Sequence, residues 1–571
     1  MKSRPLLGLL YMVFGLALLV GGLFVPAHLR ALDGIVVQSA GRSGRTLAGE
    51  EQALAGANRL GAAQLLLQAS SAGNNSGDEP FKAALADRLR QNPGALFWGA
   101  DAHTKTIFGG TFQPADQNSF FTDFVIRQEN REAALAQLRS SANVTVQELL
   151  RCRALAQLAV FSPSSSPAGQ AFDAGVATGG LLLDGGYLTP GLNSELLNLA
   201  TQANHGNGTL PLEQVLLDLM SLGQRLNWDQ LTAFVAPVPD AATLHRLTDA
   251  TRNAGGKLPV LFAAVELSGK PAAVTGYLAK FADTGWADLG ASLPYGTGGV
   301  GELVRRQQRF YEPKLIRSVA AYDPFGGFYV AAANFDSRQP GLALAVKWFM
   351  YLLAGFLLAL AVHFSRPAAS MRERPLPVRG FHLVREFLFS LGFLLVVLLG
   401  SEPFLAPDGP KGSASLRLVL PTTGGAVPAG IAGIKQTIMN PTILLTLLVF
   451  FVLQALLYIS CLAKLAEIRR QNLPPRMKLK LLENEDHLFD AGLYLGFVGT
   501  IISLIVASMG LIKFSLMAAY SSTSFGIIFV VIFKIFHLRP ARRKLLLEAE
   551  AQNPAADTYV PAATPAPVLP S

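Results

Sequence analysis

Hydrophobic positions come in two textures along these 571 residues. In one they form long runs with few or no charges; in the other they recur every three or four residues between polar ones. The runs are Leu6–Val25, Gly341–Phe364, Glu386–Leu405, Pro441–Leu462, and two stretches flanking Lys513. No charged residue lies between Asp490 and Lys513, and none between Lys513 and Lys534. At about 1.5 Å per residue, each run is about 30 Å of helix, enough to cross a bilayer. The pattern predicts six membrane spans, with 490–512 and 514–534 forming an antiparallel hairpin that turns at Lys513. The first run follows Lys2 and Arg4. A cleaved signal peptide ending near Val25-Pro26-Ala27 and an uncleaved anchor over 1–27 both fit, and the length of the apolar core favours the anchor.

The second texture fills residues 28–338. Helical periodicity runs through 45–160, as in Glu50 to Gln68 and Arg131 to Val160. Ala69 to Gly77 and Ser162 to Pro167 read as loops. From 225 to 310 short apolar runs (Leu231 to Val235, Leu258 to Val265, Ala287 to Leu293) read as buried strands. Helices over Ala241 to Asn253, Pro271 to Ala282 and Glu302 to Arg309 fall between or after them, an α/β-like alternation. The expected fold class is therefore a polytopic α-helical membrane protein with a large exported, α-rich, mixed α/β soluble region.

Charge orders the spans. Arginines and lysines crowd 365–385, the stretch from Lys464 to Lys480, and Arg539 to Lys544. The segment 406–440 is rich in glycine and proline, with mixed charges. Placing each basic stretch inside gives six spans: 1–27, 341–364, 386–405, 441–463, 490–512 and 514–534. Both termini are then cytoplasmic, 28–338 is exported and 406–440 is external. Lys347 and His363 are expected to snorkel to the interfaces of the second span, and Glu402 to sit at the interface of the third. Residues 546–571, rich in alanine and proline towards the end, read as a disordered tail.

Composition narrows the function. Only 15% of residues are charged, which excludes an ordinary soluble protein of this size, and the net charge of +9 gathers beside the spans, as topology signals do. No nucleic-acid surface is implied. Cys152 and Cys461 are the only cysteines, so no disulfide framework or cysteine metal site is expected. Eight histidines show no paired ligand spacing, so no metal is expected. Gly296-Thr297-Gly298-Gly299-Val300-Gly301 matches GxGxxG, but an exported segment has no dinucleotide to meet, so no cofactor is expected. Asp101 and His103 are candidate polar site residues without partners in the sequence. No G-x-S-x-G elbow and no set of acid, base and nucleophile is present, so no enzyme is expected.

The hairpin carries the strongest pattern. Gly496, Gly499, Thr500, Ser503, Ala507 and Gly510 recur at helical steps, a small-residue face bearing hydroxyls. Ser515, Ala519, Ser522, Thr523 and Gly526 do the same on the next run. Thr500 precedes Lys513 by nearly the separation at which Thr523 follows it, so both fall at similar depth. The fourth span, with Leu444, Leu445, Leu447, Leu448, Phe450 and Phe451, reads as lipid-facing. Leu495-Gly496-Phe497-Val498-Gly499-Thr500-Ile501-Ile502 resembles the Leu-Gly-Leu-Leu-Gly-Thr-Val run of the MotA/TolQ/ExbB proton-channel family. Ala519-Tyr520-Ser521-Ser522-Thr523-Ser524-Phe525-Gly526-Ile527-Ile528 resembles the Ala-Leu-x-x-Thr-Ala-x-Gly-Leu run on that family's next helix. The family's following Ala-Ile-Pro is Val530-Val531-Ile532 here, and the Lys464–Phe489 connection is short for the family.

The resemblance covers a three-helix core over 441–545. It implies a ring, typically a pentamer, in the bacterial inner membrane, around helices of a single-span ExbD/TolR/MotB-like partner that carries an aspartate. Thr500, Thr523, Ser503 and Ser522 would line the ion path, and Gly496, Gly499, Ala507, Gly510, Ala519 and Gly526 would permit close packing. Spans five and six hold no carboxylate, so the acid would come from that partner. A different reading keeps the hairpin as a packing device in a non-conducting receptor or scaffold acting through 28–338.

Overall fold

The computed structural model describes residues 3–42, 44–72, 79–92, 94–322, 324–365, 381–404, 441–508 and 516–551. Of these, 3–5, 72, 79–80, 381–385, 388, 441–449, 502–508 and 516–519 are described in backbone only. The described chain is mostly helical and divides into two compact units, Phe24–Leu344 and Met1–Leu23 with Ala345–Ser571.

In the large unit the expected strands are helices. Leu231 to Val235 lies in Trp228–Val235, Leu258 to Val265 in Leu258–Ser268, and Ala287 to Leu293 largely in Gly285–Ser292. Trp228–Val235 is buried at every position, Asp229, Gln230 and Thr232 included, so it has no solvent-facing polar stripe to announce a helix. Local chemistry still sets its start. Asn227 caps the helix by accepting from the Gln230 N–H, and Gln230 reaches back to the Asn227 N–H, a reciprocal capping box. Leu258–Ser268 has proline in its first turn and ends at Gly269 in the left-handed region, φ 60°. Among the described residues, the one sheet is a parallel pair of three-residue strands, Ala31–Asp33 with Arg309–Tyr311. The α/β expectation for 225–310 gives way to a helical domain.

Predicted long helices are broken in two. Glu50 to Gln68 spans Leu47–Gly56 and Leu60–Ala72, parted at Asn58 with φ 59°. Arg131 to Val160 spans Gln128–Leu138 and Val144–Cys152, the second capped by Asn143. One continuous core gathers Phe97, Trp98, Phe108, Phe121, Phe124, Phe172 and Trp228. Burial of such aromatic bodies is the main stabilising term for a domain of this kind. The glycine motif serves packing. Gly296–Arg306 is itself helical, starting well before the expected Glu302, and a Cβ on Gly298 or Gly299 would strike the Gly34–Gly41 helix at Ala40 O or Val37. Asp101 caps Ala102–Ile107 and accepts from Trp228 Nε1 at 2.8 Å, while His103 lies 3.5 Å from Asp184. Both are structural contacts.

Among the described residues, four helices are long and apolar enough to cross a membrane: Leu6–Leu23, Pro340–Ser365, Phe450–Arg470 and Tyr520–Ala551. Phe389–Ser401 and Ala491–Ile501 are shorter apolar helices. The helix Ser3–Leu23 runs antiparallel to Pro340–Ser365, meeting it through the evenly spaced Gly8, Gly15 and Gly22. Their added Cβ atoms would meet Ser365 Oγ (2.7 Å), Leu358 Cγ (3.0 Å) and the Tyr351 ring (2.6 Å). Glycine every second turn is what lets these two backbones approach. The segments 366–380 and 405–440, and so most of the expected basic and external loops, lie outside the described residues, as does 552–571. Residues 546–551, expected in a disordered tail, complete the helix Arg539–Ala551.

Candidate functional site

The hairpin helices are Ala491–Ser508 and Leu516–Phe533, and the long helix Pro441–Arg470 packs against them. The expected turn around Lys513, with Gly510 and Ser515, lies outside the described residues, as do the side chains of Ser503, Ala507 and Ala519. The rest of the small face is in view. Thr500 Oγ1 and Thr523 Oγ1 are 2.6 Å apart, and both lie within hydrogen-bond distance of Gly496 O, at 3.1 and 3.2 Å. Two hydroxyls from facing helices thus converge on one carbonyl. Thr500 is buried and Thr523 half-buried. Ser522, 1% exposed, sits over Gly499, where an added Cβ would lie 2.5 Å from its Oγ.

The glycines make room for more than backbone approach. The long helix, read as lipid-facing, inserts Gln454 into the hairpin, 1% exposed. Its Nε2 donates to Gly492 O at 3.0 Å. A Cβ on Gly492 would stand 3.0 Å from Gln454 Oε1, and one on Gly496 or Gly526 would stand 3.4 or 3.3 Å from Nε2. Three glycines therefore shape a slot for one carboxamide. Phe451, by contrast, is 44% exposed, while the side chains of Leu444, Leu445, Leu447 and Leu448, also read as lipid-facing, lie outside the described residues. A lone amide inside an apolar run was the available signal, since burying it without partners costs several kcal/mol, of order 2–7.

Below Gln454, one turn along, Tyr458 OH lies 2.9 Å from His537 Nε2. His537 belongs to a turn of π-helix, Lys534–Leu538, that links the second hairpin helix to Arg539–Ala551. Such turns are rare and often mark function. A cavity of about 10 Å³ lies between, lined by Gln454, Tyr458, Cys461, Phe489, Gly492 and Phe533 among others. Asp490 and Lys534 pair across the hairpin's base at 2.7 Å, and Arg542 pairs with Asp486 at 3.2 Å. The short connection is helical (Pro475–Asn484, Asp486–Phe489), and Leu482 and Phe489 join Leu465, Phe533 and Leu545 in a small core.

A second polar feature contradicts the snorkelling expectation for Lys347. Lys347 and Glu402 side chains are 1% and 0% exposed and 3.6 Å apart, and His363 lies 3.8 Å from Glu386. Ionisable side chains thus face each other at both ends of one apolar stretch, Lys347 and His363 on Pro340–Ser365 against Glu386 on Phe381–Ser401 and Glu402 just past its end. Both sites combine buried polarity with apolar surroundings, which is how membrane helices hold ion-handling groups. Among the described residues no group of three or more His, Cys, Asp or Glu could hold a metal. No family model, no curated protein and no solved structure matches this chain.

Proposed function

We propose that this chain is the ring-forming subunit of an ion-driven energy-transducing complex of the bacterial inner membrane. It would conduct protons or sodium together with an aspartate-bearing single-span partner. The observation that carries this is the Thr500–Thr523 hydroxyl pair, 2.6 Å apart on a glycine-lined contact between two helices that contain no carboxylate. Hydroxyls in such a seam can exchange hydrogen bonds with each other, with the Gly496 carbonyl or with a passing hydrated ion. The acid that would drive the cycle then comes from the partner. In this arrangement six spans keep the basic segments and both termini on the cytoplasmic face.

The test uses the full chain, co-purified with its single-span partner and reconstituted in liposomes. Thr500→Val and Thr523→Val keep side-chain volume and remove the hydroxyls. Each should cut ion flux roughly tenfold, equivalent to about 1.4 kcal/mol for a lost hydrogen bond, at unchanged assembly. Unchanged flux in both variants refutes the reading.

A second reading has its own support. The large unit contains a cavity of about 340 Å³ between Gln64, Gln68, Gln117, Asn118, Arg225 and Phe120, among others. That volume lies in the range of small-molecule sites. It favours a receptor role for residues 28–338 beside, or in place of, conduction.

A further inference from the structure

A conducting hairpin needs a route from its middle to the basic face, and resting on the reading above, we infer that Gln454, one water, Tyr458 and His537 form it. The water would fill the cavity beside Gln454. Four observations converge. Gln454 Oε1 is buried and, among the described residues, has no hydrogen-bond partner. The adjoining cavity of about 10 Å³ is at the lower limit for a single water. Its lining supplies polar partners for that water in Gln454 and Tyr458. Finally, Tyr458 OH already lies 2.9 Å from His537 Nε2, and His537 is half-buried, at the edge of the bundle.

The upper end joins the hydroxyl pair at Gly496, whose carbonyl takes both threonines and whose Cα faces the Gln454 carboxamide. From Thr500 to Asp490 is about 15 Å of helix, so this thread is about half a bilayer deep. Proton passage along its lower part balances without a co-reactant. The cavity water, arriving protonated, gives a proton to Tyr458 Oη as the Tyr458 hydroxyl proton moves to His537 Nε2. The imidazolium then releases its Nδ1 proton to solvent on the basic side. A flip of the imidazole ring restores the starting tautomer. Gln454 orients the water and does not titrate.

Cys461 lines the same cavity and donates to Leu488 O at 3.4 Å, so its S–H group reports on the water. Cys152, the other cysteine, lies in the other unit and is removed by Cys152→Ser. In the full-length Cys152→Ser chain, the infrared S–H band of Cys461 should shift to S–D within minutes of transfer to D2O. Gln454→Leu, which fills the slot with apolar surface, should make the band persist. In reconstituted complex, Gln454→Leu and Tyr458→Phe should each lose most of the proton flux, and Tyr458→Phe keeps the ring packing against Phe529 and Phe533. A Cys461 S–H band that survives in D2O as long as the deeply buried amides overturns the hydrated relay. So does wild-type flux that both variants leave intact. A wild-type complex without flux overturns the conduction reading and the relay together, and is told apart by that control.

Discussion

Lys347 and Glu402 allow the sharpest test of how the membrane unit is built. Their charged ends are 3.6 Å apart with side chains 1% and 0% exposed. At an effective dielectric of about 20, two unit charges at that distance attract by about 4–5 kcal/mol. Desolvation opposes this, so the pair as a whole contributes little net stability, but removing one member leaves the other's charge buried without this counter-charge. Lys347→Met or Glu402→Leu alone should therefore cost about 3–5 kcal/mol, while the double variant should return to within about 1 kcal/mol of the parent. The assay is unfolding of the purified full chain in mixed micelles on titration with SDS. Trp348, adjacent to Lys347, is the sole tryptophan of this unit, and its signal is the fluorescence difference between each chain and its Trp348→Phe counterpart. If Lys347→Met costs less than about 0.5 kcal/mol, the ammonium is solvated as in a surface pair, and the buried-pair account fails.

Three further outcomes concern the large unit. Glu213 accepts N–H groups from Ala159, Val160 and Phe161 at 2.6–2.7 Å, and these bonds, with one from Thr209, overcome burial to hold its pKa below the usual value. Glu213→Gln removes one acceptor oxygen, and should cost about 2–4 kcal/mol in thermal unfolding near pH 7, with a smaller loss at acid pH as the parent carboxylate protonates. Burial pushes Glu266 up to about 7, with Arg59 opposing and Glu50 and Asp229 adding. A raised carboxylate binds its proton more tightly in the fold, so stability should fall by up to roughly 3 kcal/mol as pH climbs from about 4.5 to 7, and Glu266→Gln should flatten that slope. Burial, reinforced by Glu148, lifts the Cys152 thiol to about 12, so a maleimide at pH 8 should label it only after unfolding, as read by intact mass.

What could be read from the sequence follows from how each signal arises. Helical segments at the apolar runs were legible because length and the absence of charge suffice to mark them, as for Ala491–Ser508 and Leu516–Phe533. The strands assigned to Leu231 to Val235 and Leu258 to Val265 failed because a short apolar run inside a largely buried helix reads the same as a buried strand. The hydroxyl pair was legible from spacing alone, since counting outward from Lys513 puts Thr500 and Thr523 at one depth. Gln454 was not, because one amide in a run of leucines barely changes its hydropathy. The Lys347–Glu402 pair was missed by treating each charge singly. Yet Lys347 is as far from His363 along the chain as Glu386 is from Glu402, a matched spacing that antiparallel helices would bring face to face. The Tyr458–His537 contact depends on a π-turn beyond the apolar run, which no periodicity announces.

Closure of this chain into a ring around a partner's helices, as proposed above, is tested most directly by its subunit count. Native mass spectrometry of the nanodisc-purified protein, with whatever single-span protein accompanies it, gives the number. The account predicts a closed ring of about five copies with partner helices in substoichiometric amount. A monomer or dimer with no accompanying helix would contradict it, and would move the search for function to residues 28–338.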